Sequence, residues 1–298
     1  MSFRDPSRTR PYHVVIIPSA GRPEVLADTV ASIARQLVPA DEIILSVPDP
    51  ADVRPDTAAL PRVRVVQSPR GLTRQRNFGA ERMSPMADVV SFFDDDVELA
   101  PDYLAWVQHL FTTDPSVALF SGLPIVDAVK DGGVSRDRAL EIVAAHEPAP
   151  HEFIPAKDCY GCNMNVRAPV LAQVPFDERL PLYSWLEDND FAARCARFGR
   201  VGRYFRCAFV HMGVASARMP GGRYGFAQVM NAYYLWRKGT LTGKYAASMC
   251  AKAVARNAAG AVVGDPRVDR RGRLRGNLVA LGMIARNRVE PEYILTMR

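Results

Sequence analysis

The sequence lacks most of what would place a chain in a membrane or cross-link it. No uncharged apolar run approaches the eighteen or so residues that a bilayer-spanning helix needs. Cysteines number only five, an odd count. No second pair at zinc spacing follows Cys159-Tyr160-Gly161-Cys162, so a disulfide framework or a C-x-x-C zinc centre is not expected. The opening MSFRDPSRTR is polar and basic, without the apolar stretch of a secretory leader. With the unpaired thiols, this predicts a reducing, cytoplasmic setting. There is no internal repeat and no low-complexity tract. At 298 residues and 48% hydrophobic, disorder throughout is excluded, and a full core with an appendage is within reach.

Acid is scarce in one region. From Ser216 to Arg298 there are fifteen Lys and Arg against four Asp and Glu, a net of +11 in a chain whose total is +6. The part before Ser216 is therefore net acidic, and the two parts should present different surfaces.

What is present is organised around Val89-Val90-Ser91-Phe92-Phe93-Asp94-Asp95-Asp96-Val97-Glu98. The apolar part reads as a buried strand. Three adjacent carboxylates at its end are costly unless a cation offsets them. In an extended segment Asp94 and Asp96 share a face and Asp95 turns away. Two carboxylates so placed suit Mg²⁺ or Mn²⁺ shared with phosphate oxygens, and a solvated acidic turn is the alternative.

The rest alternates. Apolar runs at His13–Pro18, Glu42–Val47, Val63–Gln67, Val117–Ser121 and Cys207–His211 read as strands. Helical spacing begins at Glu24, over Gly71–Met83 and over Pro101–Thr113, with a short helix at Arg136–Ala145. This predicts an α/β layer with a mostly parallel sheet, whose ligands sit at the carboxyl ends of strands. Gly161-Cys162-Asn163-Met164-Asn165 reads either as a ligand-facing segment or as an ordinary turn. A second acidic cluster is Tyr183-Ser184-Trp185-Leu186-Glu187-Asp188-Asn189-Asp190-Phe191. Ser184 and Glu187 have capping-box spacing, and Phe191, Cys195 and Phe198 share a helix face. His211 ends its strand, where a lone histidine is as a rule structural or exposed.

Taken together these stretches resemble the family-2 glycosyltransferases of the GT-A fold, over roughly Tyr12 to Gly213. VVIIPSAGRPEVLADTVASIARQ is similar to the family's nucleotide-binding opening, GLTRQRNFGA to the segment beneath the donor diphosphate, FFDDDVEL to its D-x-D metal motif, and YSWLEDNDFAARCARFG to its E-D motif. The resemblance implies a GT-A catalytic domain over 11–215 with a Rossmann-like sheet, followed by a basic, mainly helical region over 216–298. It implies donor contacts at Pro18, Ser19, Arg22, Arg74, Arg76, Asn77, Asp94 and Asp95. Asp94, Asp96 and His211 become the ligands of Mn²⁺ or Mg²⁺, and Asp188 the catalytic base. The implied reaction is inverting transfer from a nucleotide-sugar to an acceptor hydroxyl, in polysaccharide, glycolipid or cell-envelope glycan synthesis. The sequence departs from the family at Ser46-Val47-Pro48-Asp49-Pro50, where many relatives carry an acidic D-D-G-S stretch that contacts the base.

Two other readings compete. A sugar-phosphate nucleotidyltransferase would need a glycine-rich phosphate loop, which Pro18 to Pro23 do not supply. A basic nucleic-acid-binding protein would explain the +11 region but gives the acids no role, and no nucleic-acid contact is expected. Between Arg223 and Ile284 the sequence predicts helices over Arg223–Lys238 and Tyr245–Val263, a basic linker from Arg267 to Arg275, and an apolar run at Leu278–Ile284. Aromatic and apolar side chains alternating with Lys and Arg suit peripheral contact with an anionic membrane, at the inner face of the plasma membrane if the acceptor is a lipid-linked glycan. Helices that simply cover a core are the alternative.

Overall fold

The computed structural model describes residues 8–129, 132–214, 219–264 and 268–297. Ala215, Ser216 and Arg267, which mark edges of the expected basic region and its linker, lie outside them. The chain forms two compact units. One contains the described parts of Met1–Arg70, Arg74–Phe176 and Arg194–Ala217, the other those of Gly71–Thr73, Asp177–Ala193 and Arg218–Arg298.

The first unit is built on a nine-stranded sheet. Strands β1 (His13–Pro18), β2 (Glu42–Val47), β3 (Val63–Gln67) and β4 (Val89–Phe93) lie in the order β3-β2-β1-β4, all parallel. Every residue of β1 and β4 is buried, as near-continuous Val, Ile and Phe runs require when helices cover both faces. The crossovers are α1 (Pro23–Ala34), the short α2 (Pro55–Ala58) and α3 (Leu72–Glu81).

The second half of the sheet is mixed. Strand β5 (Val97–Leu99) precedes α4 (Tyr103–Thr113). There follow β6 (Val117–Asp127), α5 (Arg136–Ala144), β7 (Phe153–Pro155), β8 (Asn163–Arg167), α6 (Ala168–Leu171) and β9 (Arg200–His211). Strand β8 inserts antiparallel between β4 and β6, β6 and β9 run parallel, and β5 and β7 pair antiparallel with β9. Strands β6 and β9 are much longer than the apolar runs at 117–121 and 207–211, β6 running on from Gly122 to Asp127 and β9 starting already at Arg200. Asn163 and Asn165 belong to neither a ligand-facing segment nor a turn. They are fully buried in β8, within a hydrogen-bonded chain. His13 Nε2 meets Ser91 Oγ at 2.8 Å, Ser91 donates to Asn165 at 2.5 Å, Asn165 donates to Tyr103 at 2.9 Å, and Tyr103 donates to Asn163 at 2.6 Å. Buried polar groups must pair in this way or lose about 1–3 kcal/mol each.

The second unit contains α7 (Glu187–Cys195), whose last two residues count with the first unit, and α8 (Gly221–Lys238), α9 (Gly243–Val263) and α10 (Arg270–Ala285). Helix α8 ends at Gly239, whose φ of 86° is the left-handed conformation that glycine accepts without strain. Thr242 caps α9 through the Tyr245 N–H, and Asp269 caps α10 through the Gly272 N–H at 2.7 Å. The stretch expected as a basic linker is thus helical from Arg270 onward; an N-cap aspartate two residues after Arg267 outweighs the charge run. Phe226, Val229 and Met230 of α8 pack with Ala280 and Met283 of α10 and with Ile294, each large side chain contributing about 1.5–3 kcal/mol of burial. A Cβ on Gly276 would lie 2.0 Å from the Gly222 carbonyl oxygen, so α8 and α10 cross at backbone contact.

Helix α7 stops at Cys195, and Phe198 beyond it is 44% exposed, off the face that buries Phe191 and Cys195. Ser184 does not form a capping box. It has φ of 54°, and its Oγ donates to Leu180 O at 2.6 Å, while Glu187 N–H bonds the Ser184 carbonyl.

Candidate active site

The chain after β4 does not continue extended through the acids. Asp94 to Asp96 make a turn between β4 and β5, held by the backbone: Asp94 N–H donates to Cys162 O at 3.0 Å and Met212 N–H to Asp96 O at 2.9 Å. On α1, Thr29 Oγ1 donates to Asp95 O at 2.7 Å. Alternation is therefore not what brings Asp94 and Asp96 together; the turn does. One ligand atom from each of Asp94, Asp96 and His211 lies within 4.8 Å of the other two. Two carboxylate oxygens and an imidazole nitrogen form a donor set suited to Mn²⁺ or Mg²⁺.

Asp96 and His211 are 4% and 7% exposed, while Asp94 is half-buried. Burial alone would raise the Asp96 carboxyl, but His211, Arg22 and the Val214 N–H at 2.9 Å hold it below the ordinary range. His211 Nε2 is 3.2 Å from Asp96 Oδ1. Burial opposes a charge on His211, yet Cys162, Asp127 and Asp96 around the ring raise it well above the usual histidine range. A cation among these acids would stand where that proton is held. Gly213, with φ of 70°, makes the turn that delivers the Val214 N–H; a Cβ there would lie 2.5 Å from Val129 N.

Asp95 faces elsewhere. Its side chain accepts from Ser19 Oγ at 2.5 Å and from Arg22 Nε at 3.1 Å, and Arg22 Nη2 closes on its other oxygen. Burial pushes Asp95 up to about 7, with Arg22 opposing and Asp96 adding to the rise. Pro18 ends β1 just before, buried. Arg22 Nη1 also reaches Asp96 at 3.8 Å, so one guanidinium spans two of the three acids. Arg76 has no exposed surface; its Nη2 donates to Asp94 at 3.1 Å and to Gly161 O at 2.7 Å. Asn77 holds both main-chain groups of Phe176, donating at 3.0 Å and accepting at 2.8 Å, and Arg76 lies over the Phe176 ring at 5.2 Å. Arg74 is exposed on α3. The structure thus brings Ser19, Arg22, Arg76, Asp94, Asp95, Asp96 and His211 into one network, with Asn77 fixing its wall.

Asp127 and Tyr160 also reach His211, at 3.3 and 2.9 Å from Nδ1. Sequence reasoning missed both. Asp127 lies in a stretch with no readable pattern, and Tyr160 was visible only as a spacer inside a cysteine pair.

In the second unit, Asp188 is half-buried in the first turn of α7, where its Oδ1 accepts the Asn189 N–H at 2.8 Å. The loop before it is strained: Leu182, Ser184 and Leu186 all have positive φ, between 54° and 72°. Such residues cost about 1–3 kcal/mol each and persist only where the surroundings impose them. Here Leu72 N–H bonds Leu182 O at 2.9 Å, Asn231 of α8 donates to Trp185 O at 2.9 Å, and Leu186 is buried among Leu180, Ala232 and Leu235. Asp190, which the sequence left unexplained, is fully buried and accepts from Lys238 and from Thr240 Oγ1 at 2.8 Å.

Comparison with known proteins gives the fold a context. Among solved structures, a mannosyltransferase from Pyrobaculum calidifontis, described in complex with GDP-Man and Mn²⁺, matches with TM-score 0.57 and 18% identity, over 98% of this chain and 86% of that one. GalNAc-T7 with UDP, GalNAc and Mn²⁺ matches with TM-score 0.55 and 12% identity, over 96% and 57%. Residues 1–349 of TarS from S. aureus match with TM-score 0.52 and 13% identity, over 75% and 65%. The chain therefore spans under two thirds of the latter two structures. At these identities the likeness establishes the fold, an α/β GT-A architecture with C-terminal helices. No curated protein matches. The sequence itself matches the family described as "Glycosyltransferase like family 2" from residue 11 to residue 218, a span that includes the acidic turn, the E-D segment and His211, and the chain belongs to that family.

Proposed function

We propose that this chain transfers a sugar from a nucleotide-sugar donor to an acceptor hydroxyl with inversion, in the synthesis of a polysaccharide, glycolipid or envelope glycan. The observation that carries the reading is the convergence of Asp94, Asp96 and His211 in a chain of this family. Those three would hold Mn²⁺ or Mg²⁺, which supplies charge to offset the diphosphate as it leaves. Arg22 and Arg76 add fixed positive charge beside the acids, ordered before donor arrives. Ser19 and Arg22 hold Asp95, so the turn keeps its shape when the neighbouring carboxylates take on a ligand. Asp188 accepts the acceptor's proton as its oxygen bonds the anomeric carbon; the bond from that carbon to the diphosphate breaks, and the electron pair leaves with the nucleoside diphosphate. The catalytic part is taken as 11–215, with the 216–298 region supporting the loop that carries Asp188. Calorimetry of GDP and UDP with and without Mn²⁺ tests the reading. Binding that requires Mn²⁺ is expected, and no binding of either nucleotide under both conditions overturns it.

We also propose that the C-terminal helices rest on an anionic membrane surface, where a lipid-linked acceptor would be reached. Helices α8, α9 and α10 carry ten Lys and Arg and no acid. No helix among the described residues is long and apolar enough to cross a membrane. Helix α9 exposes Lys244, Lys252 and Arg256 beside Tyr245, Val262 and Val263, the last two 87% and 85% exposed. Basic groups interleaved with exposed apolar ones suit the interface of an anionic bilayer. Arg270 and Arg273 are turned to partners in their own unit, Asn257 and the Tyr224 ring. The substitutions to make are therefore Lys252, Arg256, Arg271 and Arg275 to Gln together. Co-sedimentation with anionic liposomes at low salt should fall in that variant; equal recovery with neutral and anionic liposomes for the unaltered chain overturns the proposal.

A further inference from the structure

We infer that Asp127 and Tyr160 are positioning residues for His211: they fix the proton on Nδ1 and leave Nε2 to face the acids. The inference rests on the cation reading above. The backbone sets it up. Strands β6 and β9 run parallel, and in their register Asp127 stands opposite His211, with the Ala128 N–H bonding His211 O at 3.0 Å. The two side chains at these strand ends meet, Nδ1 lying 3.3 Å from Asp127 Oδ1. Tyr160 reaches the same nitrogen, its main-chain N–H held by Ser121 Oγ at 2.7 Å. Its hydroxyl is 2.9 Å from Nδ1 and its ring packs edge-on to the imidazole at 5.7 Å.

The polarity of this arrangement follows from the groups. An ionised carboxylate only accepts hydrogen bonds; Asp127 faces Nδ1 and Asp96 faces Nε2, and a cation held by Nε2 would use that nitrogen's lone pair, which leaves the proton on Nδ1, toward Asp127. The Tyr160 oxygen can accept from the same N–H, since its hydroxyl lies 2.9 Å from Nδ1. In a neutral ring the lone pair then belongs to Nε2, the nitrogen 3.2 Å from Asp96. Cys162 is buried nearby, but a thiol is a weak donor and a weak acceptor and does not select a tautomer. A carboxylate behind a ligating histidine orients the ring and raises its basicity, and its loss as a rule weakens metal affinity 10- to 100-fold. Asp127 and Tyr160 would thus tune the affinity of the site without touching its contents.

The test combines Mn²⁺ affinity, read by electron paramagnetic resonance, with the ¹⁵N shifts of labelled histidine in Mg²⁺-saturated protein, His211 being assigned by its loss in His211→Gln. The unaltered chain should show the Nδ1–H tautomer. Asp127→Ala should bind Mn²⁺ about 10- to 100-fold more weakly, and its Nδ1 resonance should move from the wild-type position as the Nδ1 proton loses its carboxylate acceptor. Asp127→Asn, whose carbonyl oxygen still accepts from Nδ1, should keep the tautomer and lose less affinity. Tyr160→Phe preserves the ring packing and should cost a few-fold. Wild-type Mn²⁺ affinity in Asp127→Ala, or a loss of affinity with the Nδ1 shift unmoved in that variant, overturns the inference. If the unaltered chain binds no Mn²⁺, the cation reading itself fails and this inference with it. If Asp127→Ala does not fold, Asp127→Asn and Tyr160→Phe decide: unchanged affinity in both refutes the positioning role.

Discussion

Lys238, the last residue of α8, closes on both oxygens of the Asp190 carboxylate, at 2.8 and 2.9 Å, and Asp190 has no exposed surface. The same ammonium reaches Asp177 Oδ2 at 2.6 Å. One cation from the C-terminal helices thus neutralises two acids at either end of the strained loop, and the nearer lies two residues after Asp188. Removing it leaves Asp190 buried beside Thr240 alone among these contacts. Breaking a buried pair costs about 3–5 kcal/mol; Lys238 is 25% exposed, so on the order of 2–3 kcal/mol is expected here. Lys238→Met should lower the urea midpoint accordingly and reduce turnover with little change in donor affinity.

Asp188→Asn keeps the shape of the side chain and its capacity to accept from the Asn189 N–H, but it cannot take a proton at neutral pH. Turnover should fall about a hundredfold or more, with the dissociation constant of the donor nearly unchanged. Glu187→Gln should leave turnover within a few-fold of wild type. Single-turnover kinetics at saturating donor distinguishes the two, and equal losses in both variants would remove Asp188 from the base's role.

Asp96→Asn retains an oxygen for the Val214 N–H and removes the charge that faces His211. The variant should remain folded and should lose the Mn²⁺-dependent component of nucleotide binding. His211→Gln should weaken Mn²⁺ by a smaller factor. Calorimetry with the nucleoside diphosphate and Mn²⁺ reads both, and an unchanged Mn²⁺ dependence in Asp96→Asn refutes its place among the ligands.

His13 gives the chain an acid-sensitive point far from this chemistry in sequence. It is fully buried on β1, and burial lowers its imidazole to about 3, with Asp41 opposing and Arg10 adding to the fall. Above pH 6.5 neither the native nor the unfolded state binds the proton, and the residue is neutral for stability. Below 6.5 the unfolded chain takes up a proton that the native state refuses until about pH 3, so stability falls as pH falls through this window. Between pH 7.5 and pH 5 the loss is about 2 kcal/mol at about 1.4 kcal/mol per pH unit. Urea midpoints measured across this range should converge for wild type and His13→Gln as pH drops. A difference independent of pH would show that His13 is not buried neutral.

Much of this molecule was legible in its sequence because the relevant signals are local. The strands β1 to β4 follow from apolar runs bounded by Pro and Gly, and the acids at the end of β4 are costly enough to mark themselves. Capping by Thr242 and Asp269 and the stop at Gly239 are likewise short-range, although the basic run after Arg267 concealed the start of α10. The sequence alone therefore determined the order of the first four strands and their helices, the acidic cluster after β4 and the helical character of the C-terminal region.

What the tertiary structure decided is which groups share a neutralising partner, since that depends on strand register and on contacts between residues distant along the chain. Asp94, Asp95 and Asp96 are chemically identical, yet Ser19 and Arg22 take Asp95 while Arg76 and His211 take its neighbours. Asp127 meets His211 only because β6 and β9 pair in one register; a slip of one residue would turn it to the opposite face of the sheet. The E-D segment groups with α8 and not with the strands that flank it in sequence, because Asp190 has no exposed surface and can be buried charged only where Lys238 comes to it.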